Sequence, residues 1–445
     1  MHLPSIKHHV GFVVFACLIT GLLVGLGLAF GQFAGTSEVA ISVYLLLAFS
    51  VAWAAVAIIS SRFTDQPQRW AAVPAAVLAL LAAVLLIWPG LYTEAFIGWL
   101  WPIALLVLLA WMVVQSRRHL HSPVRAWLLY PAFVVFGFAA LGGAYETVQE
   151  SLNPLAEKMP GERVDVGGHQ MHLHCSGSGS PTVVLDAGLG GASLDWSLVQ
   201  PSLAEASQVC SYDRAGMGWS DPGSQPRSPE QIARELHVLL ANAGISPPYV
   251  LVGHSLAGKN VRMFAQEHPA EVVGMVLVDA RSEYVDDRTS DTKESIERRA
   301  AHLQAWGYGV ADRIGIARIV GASLLGTPSS MPGETRRTIA LLTTASPGRN
   351  TAADEFMERS TSDEALRAGP SLGNRPLIVL AASKNMEDVA YWPEGQQAQA
   401  ALSSAGRLIV VEDSSHYIHW DHPDEVIDAV QVVIAMAPRG GADGR

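Results

Sequence analysis

The chain has 445 residues, which is too long for one ordinary domain and suits two or three. It carries 30 Lys and Arg against 41 Asp and Glu. This net charge of −11, with no basic stripe, excludes a typical nucleic-acid-binding protein, which needs cations to neutralise phosphates. An apolar fraction of 49% excludes the disordered and collagen-like classes.

Charge is distributed unevenly along the chain. Residues 1–150 hold six basic and five acidic residues, whereas residues 151–445 hold 24 and 36. The first part is almost uncharged for its length and the second is distinctly acidic. This asymmetry predicts two physically different domains in one polypeptide.

The N-terminal part contains five long apolar stretches without a formally charged residue, at 10–37, 39–61, 70–93, 95–116 and 126–145. A helix of about 20 apolar residues spans the hydrocarbon core, where every backbone polar group must be paired. Five such stretches in succession fit neither a cleaved signal peptide nor the core helices of a globular domain. We expect a five-span transmembrane domain over residues 1–147 and a linker over 148–161.

The positions of Lys and Arg predict the orientation of these spans, because basic residues near span ends stay on the cytoplasmic side. The loops at 35–38 and 91–94 contain neither residue type, whereas six basic residues fall on the other side: Lys7, Arg62, Arg69, Arg117, Arg118 and Arg125. The N-terminus is thus predicted to be cytoplasmic, and an odd number of spans places the C-terminal part outside the cytoplasm. No charged residue lies mid-span, so nothing indicates an ion pathway.

The C-terminal part alternates short β-branched runs with helical stretches, which is typical of an α/β fold with a mostly parallel sheet. The polar, helix-rich region 284–372 interrupts this alternation and is expected to form an inserted cap. We assign this domain to residues 162–438 and a flexible tail to 439–445. The predicted strands are 181–187, 208–213, 249–253, 272–279, 376–382 and 407–412, and the predicted helices are 228–243, 257–268 and 423–437.

A candidate nucleophile lies in the sequence VLVGHSLAG, where a predicted strand runs into a predicted helix. A sharp strand-to-helix turn strains the backbone of its central residue and requires small flanking residues. Ser255 occupies the centre, between Gly253 and Ala257, and would project its hydroxyl at the sheet edge. The helix N-terminus would add positive potential beside a developing oxyanion.

Two backbone N–H groups are predicted to form an oxyanion hole. The predicted strand PTVVLDA is followed by a Gly-rich loop with the sequence AGLGG, whose first alanine is the last residue of the strand. In this loop the N–H of Leu189 can face a substrate carbonyl oxygen beside the N–H of Leu256, the residue after the nucleophile.

A serine needs an imidazole to take its proton, and the imidazole needs an acid to orient it. His416 is the predicted base, because it follows the last predicted strand and precedes the final helix. Asp279, at the end of the strand VVGMVLVD, is the favoured acid, and Asp388 is the alternative. The position where an acid normally falls after the strand PLIVLAA holds Asn385.

No cofactor or metal site is predicted. His419 and His422 lie near His416 in the sequence, and a second group contains His172, His174 and Cys175. Both groups follow strand or turn spacing without a full set of metal ligands.

Residues 163–437 resemble an α/β-hydrolase of the serine-hydrolase branch. The resemblance rests on the elbow GHSLAG, the loop LDAGLGG, the segment SSHYIHWDHPDEV and the stretch YDRAGMGWSD, which is similar to a loop of capped esterases and proline iminopeptidase-like enzymes. The sequence departs from the family pattern at Ala257, Ser415 and Asn385. A serine nucleophile disfavours haloalkane dehalogenase and epoxide hydrolase chemistry, which the family performs through an aspartyl ester.

In that family the strands that carry Cys175 and Cys210 are neighbours, which implies that the two thiols come within disulfide range. A disulfide would fit an oxidising exterior. The alternative is a pair of small, buried apolar side chains. The third cysteine, Cys17, lies in the first predicted span.

The combined prediction is a membrane-anchored serine hydrolase that cleaves an ester, thioester or amide, with a carboxylic ester favoured. Two alternatives stay open: an inactive hydrolase-like domain that binds or senses a ligand, and an acyltransferase that uses the same residues. The expected partners are a lipophilic small-molecule acyl substrate and the lipid bilayer, and not nucleic acid. Cap residues available to line an acyl pocket are Trp306, Tyr308, Met331 and Phe356.

Overall fold

The computed structural model describes residues 10–30, 38–88, 90, 95–152, 158–283, 307, 310–311, 313–316, 318–319, 326–344, 346–389 and 391–437. The chain forms two compact units. The first contains residues 1–154 and 302–317, and the second contains residues 155–301 and 318–445. The predicted tail at 439–445 lies outside the described residues.

The first unit consists of long apolar helices, whose many Ala and Leu residues favour helix formation. Among the described residues, five helices are long and apolar enough to cross a membrane, and each coincides with one predicted span. The helices are α1 Val10–Phe30, α2 Glu38–Phe63, α3 Ala72–Ile87, α4 Ala95–His119 and α5 Tyr130–Leu152.

The end of the first unit differs from the predicted boundaries. Helix α5 continues through Leu152, so the expected linker does not begin at residue 148. Residues 302–317, which the sequence assigns to the cap, group with this unit. A Cβ on Gly142 would lie 2.1 Å from the carbonyl oxygen of Ile314, so only a glycine allows the two backbones to approach this closely. Residues 284–306 of the predicted cap lie outside the described residues.

In the part of the second unit that the structure describes there are eight strands: β1 Glu162–Asp165, β2 Gln170–Ser176, β3 Thr182–Asp186, β4 Val209–Tyr212, β5 Tyr249–His254, β6 Val272–Val278, β7 Leu377–Ala382 and β8 Gly406–Val411. They form one sheet with the order β1-β2-β4-β3-β5-β6-β7-β8. Strand β2 pairs antiparallel with β1 and β4, and the other neighbouring pairs are parallel. The predicted α/β fold with a mostly parallel sheet is confirmed.

Helices cover both faces of this sheet. Strands such as β3, β5 and β7 are therefore buried along their whole length. The helices described in the second unit are α6 Gln200–Leu203, α7 Pro229–Asn242, α8 Ala257–Glu267, α9 Gly333–Thr344, α10 Ser346–Met357, α11 Asp363–Ala368, α12 Ser383–Asp388, α13 Trp392–Ala400, α14 Ile418–Asp421 and α15 Pro423–Met436. Phe264 of α8 packs in the core on one face and Val430 of α15 in the core on the other. Helices α9 to α11 lie between β6 and β7 in the chain, within the predicted cap region.

Parallel strands place their carboxyl ends at one edge of a sheet, which is where ligands bind in folds of this kind. Strands β5, β6 and β8 are followed there by Ser255, Asp279 and the segment that contains His416. Three residues that are far apart in sequence therefore meet at one edge.

A disulfide joins the antiparallel and parallel parts of the sheet. Cys175 on β2 lies directly opposite Cys210 on β4, and the two residues are bonded. The pairing expected from the family resemblance is therefore present, and neither residue is a free thiol.

Candidate active site

The backbone at Ser255 forms a sharp turn between β5 and α8. Its φ angle is 53°, in the region that favours glycine, and its N–H donates to the carbonyl oxygen of Val278 at 3.1 Å. A Cβ on Gly253 would lie 2.8 Å from the carbonyl oxygen of Ala257, and a Cβ on Gly258 would lie 2.5 Å from the Cβ of Ala280. These two positions therefore require glycine, whereas position 257 accepts the methyl group of alanine.

His416 lies within hydrogen-bond distance of the serine. Its Nε2 is 2.8 Å from the hydroxyl oxygen of Ser255, although 161 residues separate the two in the sequence. The imidazole side chain is 30% exposed, so one side of the ring is open to solvent. The geometry permits proton transfer from the serine hydroxyl to the imidazole.

The carboxylate that contacts this imidazole is that of Asp279. Its Oδ2 lies 2.6 Å from Nδ1 of His416. The other oxygen accepts hydrogen bonds from the backbone N–H of Ala382 at 3.0 Å and from the indole N–H of Trp392 at 2.8 Å. The carboxylate is fully buried yet well paired, so its position beside the imidazole is fixed.

The alternative acid from the sequence, Asp388, has no hydrogen bond to His416 among those of the described residues, whereas Asp279 does. Asp388 lies exposed at the C-terminal end of α12, which begins directly after β7. Asn385 on the same helix points inward instead. Its Nδ2 donates to Oδ2 of Asp279 at 2.5 Å and lies 3.1 Å from Nδ1 of His416.

A cavity of about 270 Å³ opens beside Ser255 and His416. The loop after β3 contributes Leu189 to its lining, whereas Leu256 does not line it. Leu256 is the N-cap residue of α8, and its side chain is buried. Among the described residues, neither the Leu189 nor the Leu256 N–H donates to a backbone carbonyl.

The cap contributes residues to this cavity that the sequence did not indicate. Ile339 and Thr343 of α9 line it, together with Tyr417 and Trp420. Of the cap residues considered from sequence, Met331 is buried in a cluster with Ile339 and Trp420. The guanidinium of Arg359 lies over the ring of Phe356. Trp306 and Tyr308 lie outside the described residues.

A buried arginine holds the oxyanion loop. The guanidinium of Arg214 donates to the carbonyl oxygens of Ala187 and Gly188, the latter at 2.9 Å, and to Asp186 at 2.7 Å. Its other side forms two parallel hydrogen bonds of 2.8 Å with Glu355 of α10. All these charges are removed from solvent, so the loop and the cap helix are joined through one guanidinium.

Burial also perturbs three titratable groups around the cavity. Burial, and then the neighbouring His419 and His416, lower the pKa of His254 well below its usual value, and its Nε2–H donates to the carbonyl oxygen of His416 at 2.9 Å. Burial, and then His416, lower the pKa of His419 to about 3. Burial raises the pKa of Asp195, which lines the cavity, to about 7. His254 and His419 are therefore neutral at pH 7.

The second histidine group considered from sequence has structural partners. The Nδ1 atom of His172 lies 2.9 Å from Asp213, and its other nitrogen contacts the carbonyl oxygen of Pro160. Cys175 is bonded to Cys210. These contacts account for two of its three members.

Comparisons with known proteins agree with this architecture. A model of the alpha/beta hydrolase family matches residues 183–429. An uncharacterized protein of Schizosaccharomyces pombe is 29% identical over 231 residues, which are 49% of this chain and 39% of that protein, so the match spans less than half of the relative's length. The uncharacterized protein YqjL of Bacillus subtilis is 27% identical over 267 residues, 59% of this chain and 87% of that protein. The solved structure of the epoxide hydrolase CorEH has a TM-score of 0.50 at 19% identity and covers 62% of this chain and 98% of its own.

Proposed function

Because this chain belongs to the α/β hydrolase family, we propose that it is a membrane-anchored serine hydrolase that cleaves an ester, thioester or amide through an acyl-enzyme on Ser255. A carboxylic ester is the favoured substrate. The observation that carries the proposal is the hydrogen-bond chain from Ser255 through His416 to Asp279, with distances of 2.8 and 2.6 Å. Membership of the α/β hydrolase family supports hydrolysis as the reaction.

In the acylation step, Nε2 of His416 takes the hydroxyl proton of Ser255 while the oxygen attacks the substrate carbonyl carbon. The Nδ1–H of the imidazole donates to Asp279, which fixes the ring orientation and stabilises the imidazolium. The imidazolium then gives its proton to the leaving alcohol, thiol or amine. The product of this step is the acyl ester of Ser255.

The N–H groups of Leu189 and Leu256 are suited to stabilise the tetrahedral intermediate. Both are free of backbone acceptors among the described residues, and Leu256 is the N-cap residue of α8, whose N-terminus carries partial positive charge. Arg214 holds the carbonyl oxygens of Ala187 and Gly188, which orients the loop before the oxyanion forms. Donors that are fixed in advance need no reorganisation during the reaction.

In the deacylation step, His416 accepts a proton from water, which attacks the acyl ester of Ser255. The exposed side of the imidazole allows water to enter. The proton then returns to the serine oxygen as the acid product leaves. An acyltransferase would replace this water with another alcohol or amine, so analysis of products in the presence of an added alcohol separates the two activities.

We propose a lipophilic acyl substrate from the lining of the cavity. Leu189, Ile339, Tyr417 and Trp420 offer apolar surface beside the serine. A cavity of about 270 Å³ lies near the lower limit for ligand pockets, so an acyl group of modest length fits it. The similar epoxide hydrolase shares only the fold, and its substrate does not extend to this chain.

The five apolar helices support the membrane anchor, and the distribution of Lys and Arg supports a cytoplasmic N-terminus with the hydrolase domain outside the cytoplasm. The disulfide between Cys175 and Cys210 is consistent with an oxidising exterior. A C-terminal epitope tag on closed, right-side-out vesicles tests this orientation. Protease should remove the tag without detergent, and protection of the tag until detergent is added would contradict the orientation.

Hydrolysis of a series of p-nitrophenyl esters by the full chain in detergent tests the activity. Ser255→Ala should lower kcat by at least about 10⁴-fold, because no other group replaces the nucleophile. Ser371→Ala removes an exposed serine hydroxyl and is the matched control. Equal rates for the wild type and Ser255→Ala would reject the proposal, whereas absence of hydrolysis across all chain lengths would favour an inactive binding domain.

A further inference from the structure

Two histidines and a glutamate form a cluster away from the proposed active site. His237 lies on α7, His268 directly follows α8, and Glu271 lies in the turn before β6. One ligand atom from each of the three lies within 4.8 Å of the other two. Helix α8 separates the cluster from Ser255, and its 11 residues correspond to a length of about 16 Å.

The ligand atoms of the cluster converge on one carboxylate oxygen. Nε2 of His237 lies 3.2 Å from Oε1 of Glu271, and Nδ1 of His268 lies 4.0 Å from the same atom. The two imidazole rings are stacked, with their centres 3.7 Å apart and their planes within 6° of parallel. Both rings therefore present a nitrogen toward the same side.

Buried neighbours fix the positions of these side chains. The ring of Phe264 is fully buried and lies 6.0 Å from the ring of His237 and 5.0 Å from that of His268. The backbone N–H of Glu271 donates to the carbonyl oxygen of His268 at 3.1 Å, and its carbonyl oxygen accepts from the N–H of Tyr249 at 2.7 Å. Helix α8 and strand β5 thus hold the ligand backbones before any ion binds.

The donor set has the chemistry of a transition-metal site. Zn²⁺ binds imidazole nitrogen and carboxylate oxygen at about 2.0–2.2 Å, so small side-chain rotations would close the present spacing around an ion. The three side chains are 36%, 23% and 26% exposed, so water can complete the coordination. The carboxyl end of α8 adds negative potential.

We propose that His237, His268 and Glu271 form a binding site for a divalent transition metal of the zinc class, which joins α7 to the end of α8 and to the turn before β6. The site is independent of the proposed hydrolase mechanism, because none of its ligands lines the cavity. The bound ion would stabilise the fold of the second unit. The sequence alone does not indicate this site, because 31 residues separate the two histidines and only the packing of α7 against α8 brings them together.

Isothermal titration with ZnCl₂ tests this site. The full chain in detergent is first treated with a chelator and then freed of it. We expect one zinc ion per chain in the wild type. His237→Gln and Glu271→Gln should each weaken binding by at least about tenfold, because each removes a direct ligand. The control His422→Gln removes a histidine outside the cluster and should bind as the wild type does.

Thermal unfolding gives a second measurement that does not depend on hydrolysis. Zinc should raise the Tm of the wild type and of His422→Gln, and should leave the Tm of the two ligand variants nearly unchanged. Circular dichroism checks that each variant is folded. The site is rejected if the wild type binds no zinc, or if either folded ligand variant binds zinc as tightly as the wild type.

Discussion

The side-chain amide of Asn385 donates a hydrogen bond of 2.5 Å to the carboxylate of Asp279. Asn385 occupies the position after β7 where the family resemblance places an acid, whereas the carboxylate that contacts His416 is at the end of β6. The same amide nitrogen lies 3.1 Å from Nδ1 of His416. A carboxylate at position 385 would therefore be within reach of the same imidazole.

Moving the acid between these two positions tests the roles of both. Asp279→Asn should lower kcat by about 10⁴-fold, because the imidazole loses the group that orients it. The double variant Asp279→Asn with Asn385→Asp should recover part of this loss, since the carboxylate is restored near Nδ1 of His416. Ester hydrolysis by the purified chain provides the measurement.

The control for this exchange is Asp388→Asn, which removes an exposed carboxylate on the same helix and should leave kcat unchanged. A double variant as slow as Asp279→Asn would show that position 385 cannot supply the acid. A large loss in Asp388→Asn would contradict the assignment of Asp279.

The central strands at the site were predictable from the sequence because of their burial. Strands β5 and β7 are buried on both faces, so they form uninterrupted apolar runs, and their ends fall close to the predicted ones. The short strand β1 is mostly exposed and carries no such signal. Ser255 and His416 were identifiable because each lies between a clear strand and a clear helix.

Other features of the site depend on tertiary packing and have no local signal. Asn385 suggested a missing acid, but its contact with Asp279 arises only from the pairing of β6 with β7. Ile339 and Thr343 line the cavity because of the tertiary packing of α9. The spacing of these two residues in the sequence does not predict that position. The bond between Arg214 and Glu355 joins positions 141 residues apart.

Glu355→Gln tests the importance of the buried guanidinium that holds the oxyanion loop. Removing one partner of a buried ion pair leaves the other charge incompletely compensated, and we expect the free energy of unfolding to fall by about 3–5 kcal/mol. kcat should also fall, because Arg214 orients the carbonyl oxygens of Ala187 and Gly188. Denaturant unfolding and ester hydrolysis measure the two effects.

The matched control is Glu334→Gln. Glu334 pairs with Lys158 at 3.3 Å, but its side chain is 78% exposed, so the loss should be at most about 1 kcal/mol. Equal effects of the two substitutions would mean that the contact between Arg214 and Glu355 contributes no more than a surface pair.

The disulfide between β2 and β4 should contribute to the stability of the second unit. Replacing both Cys175 and Cys210 with Ser opens a loop of 35 residues and should lower the free energy of unfolding by about 2–4 kcal/mol. Cys17→Ser is the control and should not change it. Mass spectrometry after alkylation should find one free thiol before reduction and three after it, and three before reduction would contradict the bond.

The buried ring of His419 predicts a pH dependence of stability. Its pKa is lowered to about 3 in the folded protein, so below about pH 6.5 the unfolded chain binds a proton that the folded protein does not. Unfolding should therefore become easier as the pH falls from 6.5 toward 3, by about 1.4 kcal/mol per pH unit from this group. His419→Phe should remove that part of the dependence.

Tm values of the wild type and His419→Phe at pH 7.5 and pH 5 measure this effect. The difference between the two proteins removes the contribution of titrating groups that lie away from His419. The variant should lose less stability than the wild type on acidification. An identical loss in both proteins would show that His419 is protonated in the folded state.

The most direct test of the proposed mechanism is covalent labelling with a fluorophosphonate, followed by peptide mass spectrometry. The reagent should form a single adduct on the hydroxyl oxygen of Ser255 in the wild type, because His416 activates that oxygen from 2.8 Å. His416→Gln should label far more slowly, and Ser255→Ala should carry no adduct. An adduct on a different residue, or equal labelling of Ser255→Ala, would contradict the assignment of this serine as the nucleophile.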